Sequence, residues 1–267
     1  MQTSGISTVA AEIVEDDGVL GAVTLQQEAI DPLTGHQELR PHRMRLGLYD
    51  TDSSGALVRT ESIDVDVAGP STLVTDLNGK RRPALLLVND DDLSYVKVRL
   101  DPESEHTVRT SLDKISDPMA RALCWTALWD SARDGVTPPA ARYVSAVEQF
   151  ATSETGIGVL LNVLGNAASA IERYVASETR EAVRKEFLAV AAEQLMAAAP
   201  GSDSQLAWAR TLADVSRHGD SQLTLVRESW RQHLGGGPCR GRRTTMEPLA
   251  GAGGPRASDP GRAGPRA

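Results

Sequence analysis

The chain has 267 residues, which at ~150 residues per domain is room for two domains. Forty per cent of the residues are hydrophobic but only 4% are aromatic, so the cores must be built from Ala, Leu and Val. The 36 acidic residues outnumber the 28 basic ones, and this balance excludes a general nucleic-acid binder, which needs a basic face for phosphate.

The two cysteines, Cys124 and Cys239, form no disulfide framework and have no Cys or His at zinc-ligand spacing. Met1–Gly5 has neither a basic flank nor an apolar core, so no signal peptide is expected. No apolar run approaches the ~18 residues needed to span a bilayer. The expected setting is soluble, reducing and cytoplasmic, with neither membrane nor nucleic acid as partner.

In chain order, short alternating segments recur between turn signals over residues 1–101. Ser7–Val14 precedes an acidic turn at Glu15–Gly18, and Leu20–Gln27 precedes the loop Asp31–His36. His42–Tyr49 sets Met44, Leu46 and Leu48 against Arg43, Arg45 and Tyr49. Asp50–Gly55 reads as a hairpin loop. Ala56–Arg59 with Ile63–Val67 reads as a strand or bulged strand, and Ser71–Leu77 as another. Asn78–Gly79 is a hairpin-turn dipeptide. About seven strands at this spacing predict a small antiparallel β-sandwich.

The stretch Leu85–Asp101 is the joint between this part and the rest. Ala84–Val88 is continuously apolar, which predicts burial on both faces. Tyr95–Leu100 alternates, with Tyr95, Lys97 and Arg99 on one face and Val96, Val98 and Leu100 on the other. The acidic turn Asn89–Asp92 joins them, because short Asn and Asp side chains bond the local backbone and tolerate left-handed dihedrals.

Residues 102–234 read as helices. Asp117 caps a helix that Pro118 opens, Met119–Arg133, apolar all round and hence buried among others. Gly135 and Pro138–Pro139 end it. Ala140–Phe150, Thr155–Leu164, Ala167–Val175, Glu178–Ala198, Asp203–Arg217 and Ser221–Leu234 follow, with Gly165–Asn166 and Pro200–Gly201 as stops. Val183, Phe187, Val190, Ala191 and Leu195 form one stripe of the longest. Short turns between such helices predict antiparallel neighbours in a HEAT-like stacked array. From Gly235 to Ala267, Gly, Pro, Arg and Ala dominate, and such a segment is expected to be disordered. A GC-rich gene read out of frame would give the same composition.

The search for chemistry returns no catalytic, cofactor-binding or metal-ligating residue. There is no H-E-x-x-H helix, and His36, His42, His106, His218 and His233 are scattered without partners at i+3 or i+4. There is no G-x-S-x-G elbow. Gly156 and Gly158 begin a G-x-G in helical context, a helix-start turn rather than a phosphate loop. Asp90–Asp92 lacks the spacing of an EF-hand loop, so a solvated turn is expected. Cys124 reads as a small core residue, and Trp125 and Trp129 as core before a ligand cage.

Four stretches, LRPHRMRLGLYD, LLLVNDDDLSYVKVRLD, DPMARALCWTALWD and PGSDSQLAWARTLAD, together with the opening QTSG, resemble the C-terminal half of actinobacterial aminopeptidase N, a family of zinc-dependent gluzincin metallopeptidases. The resemblance runs from about Gln2 to about His233 and implies a β-sandwich followed by a helical domain that closes over a catalytic domain and shapes its substrate chamber. The family's zinc helix, downstream glutamate ligand, G-A-M-E-N motif and catalytic tyrosine all precede the matching region, so no catalytic or zinc residue carries over. The resemblance therefore implies a chain that starts after the active site and stops before the helical array is finished. Its expected role is that of a non-catalytic portion of a zinc aminopeptidase, inactive alone. The expected partner is a catalytic domain or a peptide substrate, with self-association through the open helical end. The alternatives are a free-standing helical module for peptides or proteins and, last, a hydrolase with an unfamiliar site.

Overall fold

Seven strands precede six helices in the computed structural model, which describes residues 4–136 and 140–217. The strands are β1 (Ser7–Asp16), β2 (Val19–Glu28), β3 (His42–Thr51), β4 (Leu57–Val67), β5 (Ser71–Leu73), β6 (Leu85–Asp90) and β7 (Val96–Arg99). Asp17 and Gly18 turn the first hairpin with φ of 47° and 72°, the left-handed pair that matches the strand twist. Two sheets result, ordered β5-β2-β1-β7 and β4-β3-β6. Their pairings are antiparallel except β1 with β7, which run parallel from Ser7 beside Val96 to Ala10 beside Arg99.

Two expectations change here. Asn78–Gly79 turns no hairpin. The second half of the predicted strand is a 3₁₀ turn, Thr75–Leu77, and Gly79 N–H donates to the Leu20 carbonyl (2.7 Å) as the chain leaves one sheet for the other. The acidic turn, in addition, does not fold β6 back on β7 but carries the chain between sheets. The burial pattern gives the reason. All six residues of β6 are buried, so it needs a layer on each face, whereas β7 buries only one face.

Leu86 and Val88 face Val9, Leu25, Met44 and Leu46 in the core between the sheets. Leu85 and Leu87, on the other face of the same strand, join Tyr49, Leu57 and the helices in a second, larger core. Those helices are α1 (Pro102–Ser111), α2 (Pro118–Arg133), α3 (Ala140–Phe150), α4 (Ile157–Arg173), α5 (Ser177–Ala197) and α6 (Asp203–Ser216).

Helix α1 was not anticipated as an element, although Asp101–Pro102 repeats the signal of Asp117–Pro118. The Asp101 carboxylate accepts from Glu103 N and Ser104 N (both 3.2 Å), as an N-cap does. α1 also covers the free edge of β6, where Leu86 N–H donates to Ser104 Oγ at 2.9 Å. Gly165 does not stop a helix. α4 runs through it, because the stripe Leu160, Val163, Leu164, Ala167, Ala168 and Ile171 is buried on both sides of that position. Such burial outweighs the ~1 kcal/mol cost of one interior glycine. The predicted helix Ser221–Leu234, the tail from Gly235 and the pair Pro138–Pro139 lie outside the described residues. Among the described residues no helix is long and apolar enough to cross a membrane.

Candidate functional site

Two bulges converge at the acidic turn. In β6 the register skips Asn89, whose φ is 60°, and this sets Asp90 opposite Arg45. In β4 it skips Thr60, which sets Arg59 opposite Tyr49. An inserted residue re-aims the side chains beyond it. Asp90, fully buried, accepts from the Tyr49 hydroxyl at 3.0 Å and from Arg59 Nη1 at 2.8 Å. Asp91 accepts from Arg45 Nη1 at 2.6 Å and Arg59 Nη1 at 2.9 Å. The guanidiniums hold the Asp91 carboxyl below its ordinary range, Arg59 first and Arg45 second. Burial, then Asp90, pushes the Tyr49 hydroxyl up, so it stays a donor. The turn is therefore not merely solvated. Two of its carboxylates already carry cations, and among the described residues no group of three His, Cys, Asp or Glu could hold a metal.

Three of the turn's residues are left-handed without being glycine: Asn89, Asp91 (φ 64°) and Asp92 (φ 52°). The backbone is held there by Asp92 N donating to Asn89 O (3.0 Å), Asn89 Nδ2 to Ser94 O (2.8 Å), Ser94 N to Asn89 Oδ1 (3.0 Å) and Ser94 Oγ to Arg43 O (2.7 Å). The result is a hydrogen-bonded loop on which Leu93 and Tyr95 are both exposed.

The remaining candidates sit where a structural role puts them. Cys124 is buried, and burial, then Asp90, raises its thiol, which keeps it unreactive. Trp125 Nε1 donates to Glu154 Oε1 (2.8 Å), and Trp129 packs on Tyr143 and Tyr174. Gly156 is the residue before α4 and Gly158 lies inside it, with no strand leading in. His42 Nε2 is 3.1 Å from Ser7 Oγ, and burial, then Arg40, lowers its pKa. His36 and His106 are exposed. His218, His233 and Cys239 lie outside the described residues.

Two of the open clefts among the described residues exceed 500 Å³. One, about 520 Å³, lies between the outer face of the first sheet and the ends of α1 and α2, with Thr8, Gln26, Glu28, Arg99, Glu105 and Asp134 among its walls. The other, about 590 Å³, runs between α2 and α4 over Trp125 and Trp129, with Asn162 and Asn166 on its rim. Neither gathers a nucleophile with a base.

The ERAP1-like C-terminal domain family matches residues 85–240, more than half of the chain. The chain belongs to that family. Its match begins at Leu85, the first residue of β6, so the joint is also where the family's domain opens. Aminopeptidase N of Streptomyces lividans is 41% identical over 231 residues, 85% of this chain and 27% of that protein. The chain thus spans about a quarter of the length of this relative. The ERAP1-like domain here is a C-terminal domain of an aminopeptidase N-like protein.

Proposed function

We propose that the chain acts as a non-catalytic wall of an aminopeptidase N-like enzyme: it packs on the zinc-bearing catalytic domain and shapes the chamber that peptides must cross. The observation that carries this reading is the 41% identity to Aminopeptidase N, spread over 85% of this chain, without a metal-ligand cluster among the described residues. Zinc would reside in the catalytic domain, where it polarises the scissile carbonyl and activates a water. In this reading residues 1–101 form the β unit, and α1 to α6 belong to a helical unit of the stacked, HEAT-like kind. Self-association through an open end of the helical array belongs to the same reading, and Leu206 on α6 is an exposed apolar side chain that would serve it. A cytoplasmic location fits the reading. The groove over Trp125 and Trp129 supports the alternative, a helical module that takes a peptide by itself.

A chimera tests the proposal. The region of the Streptomyces lividans enzyme that matches this chain is exchanged for it, and a second variant lacks the region altogether. The chimera is expected to release N-terminal residues with discrimination by peptide length, and the deletion to lose that discrimination. Equal behaviour of the two overturns the proposal.

A further inference from the structure

One end of the first sheet carries an apolar row that is largely open among the described residues, with Ile6 and Ile30 on the wall of the cleft that Val136 also lines. Thr8 pairs with Glu28 on one side and Lys97 on the other. Side chains two residues apart share a face, so stepping two residues toward the start of β1 sets Ile6 between Ile30 and Tyr95 on the outer face. The flanking loops add Leu33 and Leu93. Tyr95 is 88% exposed, Leu33 85%, Leu93 50% and Ile30 47%, and the first two are the most exposed large hydrophobic side chains among the described residues. Singly exposed apolar residues need no explanation, but a contiguous set marks an interface.

Both loops are held stiffly. The second has the bonds described above around its three left-handed residues. In the first, the Asp31 carboxylate accepts from Ser4 Oγ (2.5 Å) and Leu33 N (2.8 Å). Backbone in sparsely populated dihedrals persists only where its surroundings over-determine it, and such places cluster at functional sites. Side chains presented this way lose little freedom on docking, which makes them effective anchors.

The same end is where polypeptide ahead of β1 comes in. Asp31 ties Ser4 down, and Arg40 donates to Ser4 O (3.1 Å) and Gly5 O (3.3 Å). Whatever precedes this region in a longer relative therefore reaches the sandwich beside Ile30, Leu33 and Tyr95. We infer that Leu33 and Tyr95, with Ile6, Ile30 and Leu93 around them, are the docking anchors for the part of an aminopeptidase that precedes this region in the chain, and that they fill an apolar socket on it. This rests on the proposed function and names the surface through which it operates.

Hydroxyl-radical footprinting, with this chain free and with it in the Streptomyces chimera, tests the inference. Side chains at the centre of an interface are shut off from water, so Tyr95 and Leu33 are expected to oxidise about tenfold more slowly in the chimera. Leu73, exposed on β5, is expected to react equally in both. An active chimera in which Tyr95 and Leu33 react as fast as in the free chain overturns this inference alone. A chimera without peptidase activity overturns the proposed function and this inference with it.

Discussion

Replacement of Gly47 by alanine tests how the acidic joint is built. Gly47 lies in β3, on the face that Tyr49 and Asp90 share. A Cβ there would stand 2.2 Å from Asp90 Oδ2, 2.8 Å from Asp90 Cγ and 2.7 Å from Tyr49 Cε2. Real contacts are not that short, and neither neighbour is a free side-chain end, since both are fully buried. If Asp90 moves, it leaves the Tyr49 hydroxyl and Arg59. Overpacking costs about 1–3 kcal/mol, and breaking a buried charged pair about 3–5 kcal/mol, so Gly47→Ala is expected to lose about 3–5 kcal/mol in all. For a domain of this size each kcal/mol is worth about 2–4 °C, which puts the fall in Tm near 10 °C. Urea and thermal unfolding of the full chain, followed by circular dichroism, measure it. Asp90→Ala removes the clashing group, so the double variant should be less damaged than the two single losses added together. A Gly47→Ala change within about 0.5 kcal/mol of the parent, or strict additivity with Asp90→Ala, refutes the reasoning.

Further outcomes follow from the same structure. Ser104→Ala leaves the Leu86 N–H on the edge of β6 without an acceptor and is expected to cost about 1–3 kcal/mol, read as a fall in unfolding midpoint. Glu148 faces Glu186, and burial, then that neighbour, pushes its carboxyl up to about 7 from 4.5. The folded chain holds this proton more tightly than the unfolded one, so stability from this group is full below about 4.5 and is lost as pH rises through about 7. Glu148→Gln should therefore gain about 1 kcal/mol on the parent between pH 5 and pH 8, after allowance for partial solvent screening, and a parallel pH profile for the two refutes it. Chelators should leave Tm unchanged, and a stoichiometric zinc found by elemental analysis on residues 4–217 would contradict the lack of a ligand cluster among the described residues. Cys124 should resist thiol reagents until the chain unfolds, as mass spectrometry of its peptide reports.

The elements that were legible announced themselves within a few residues. The Asp–Pro pair at Asp117 gave the start of α2, and the alternation of Met44, Leu46 and Leu48 gave β3. What was not legible depended on partners far along the chain. The apolar run Ala84–Val88 told of burial on both faces of β6, but that β6 pairs with β3 and β7 runs parallel with β1 no local pattern reports. The Asp–Pro signal at Asp101 was present but fell where the β part was ending, so α1 passed without notice. Gly47 had a readable sign, since glycine inside a strand often marks close approach. The thing approaching it, Asp90, lies in another strand and reaches that face only because the register skips Asn89. For the candidate surface, the alternation sets Tyr95 on the same side as Lys97 and Arg99, one residue ahead of β7, but its exposure beside Leu33 appears only once β1 aligns both loops at one end.

The joint Leu85–Asp101 thus does two kinds of work with one set of residues. As a strand, β6 hands Leu86 and Val88 to the core between the sheets and Leu85 and Leu87 to the helices, so neither core can open without disturbing the other. Where the strand ends, the apolar run gives way to Asp90 and Asp91, and burial of Asp90 is tolerable because Tyr49 and Arg59 satisfy it. A paired buried charge adds little stability over an apolar residue, but it fixes geometry. Here the geometry fixed is the left-handed loop that follows, and through it the direction of Leu93 and Tyr95. Apolar residues at Asp90 and Asp91 would fill the same space and leave the loop free to relax. The acidic turn is therefore better explained by what it holds in place than by anything it could bind.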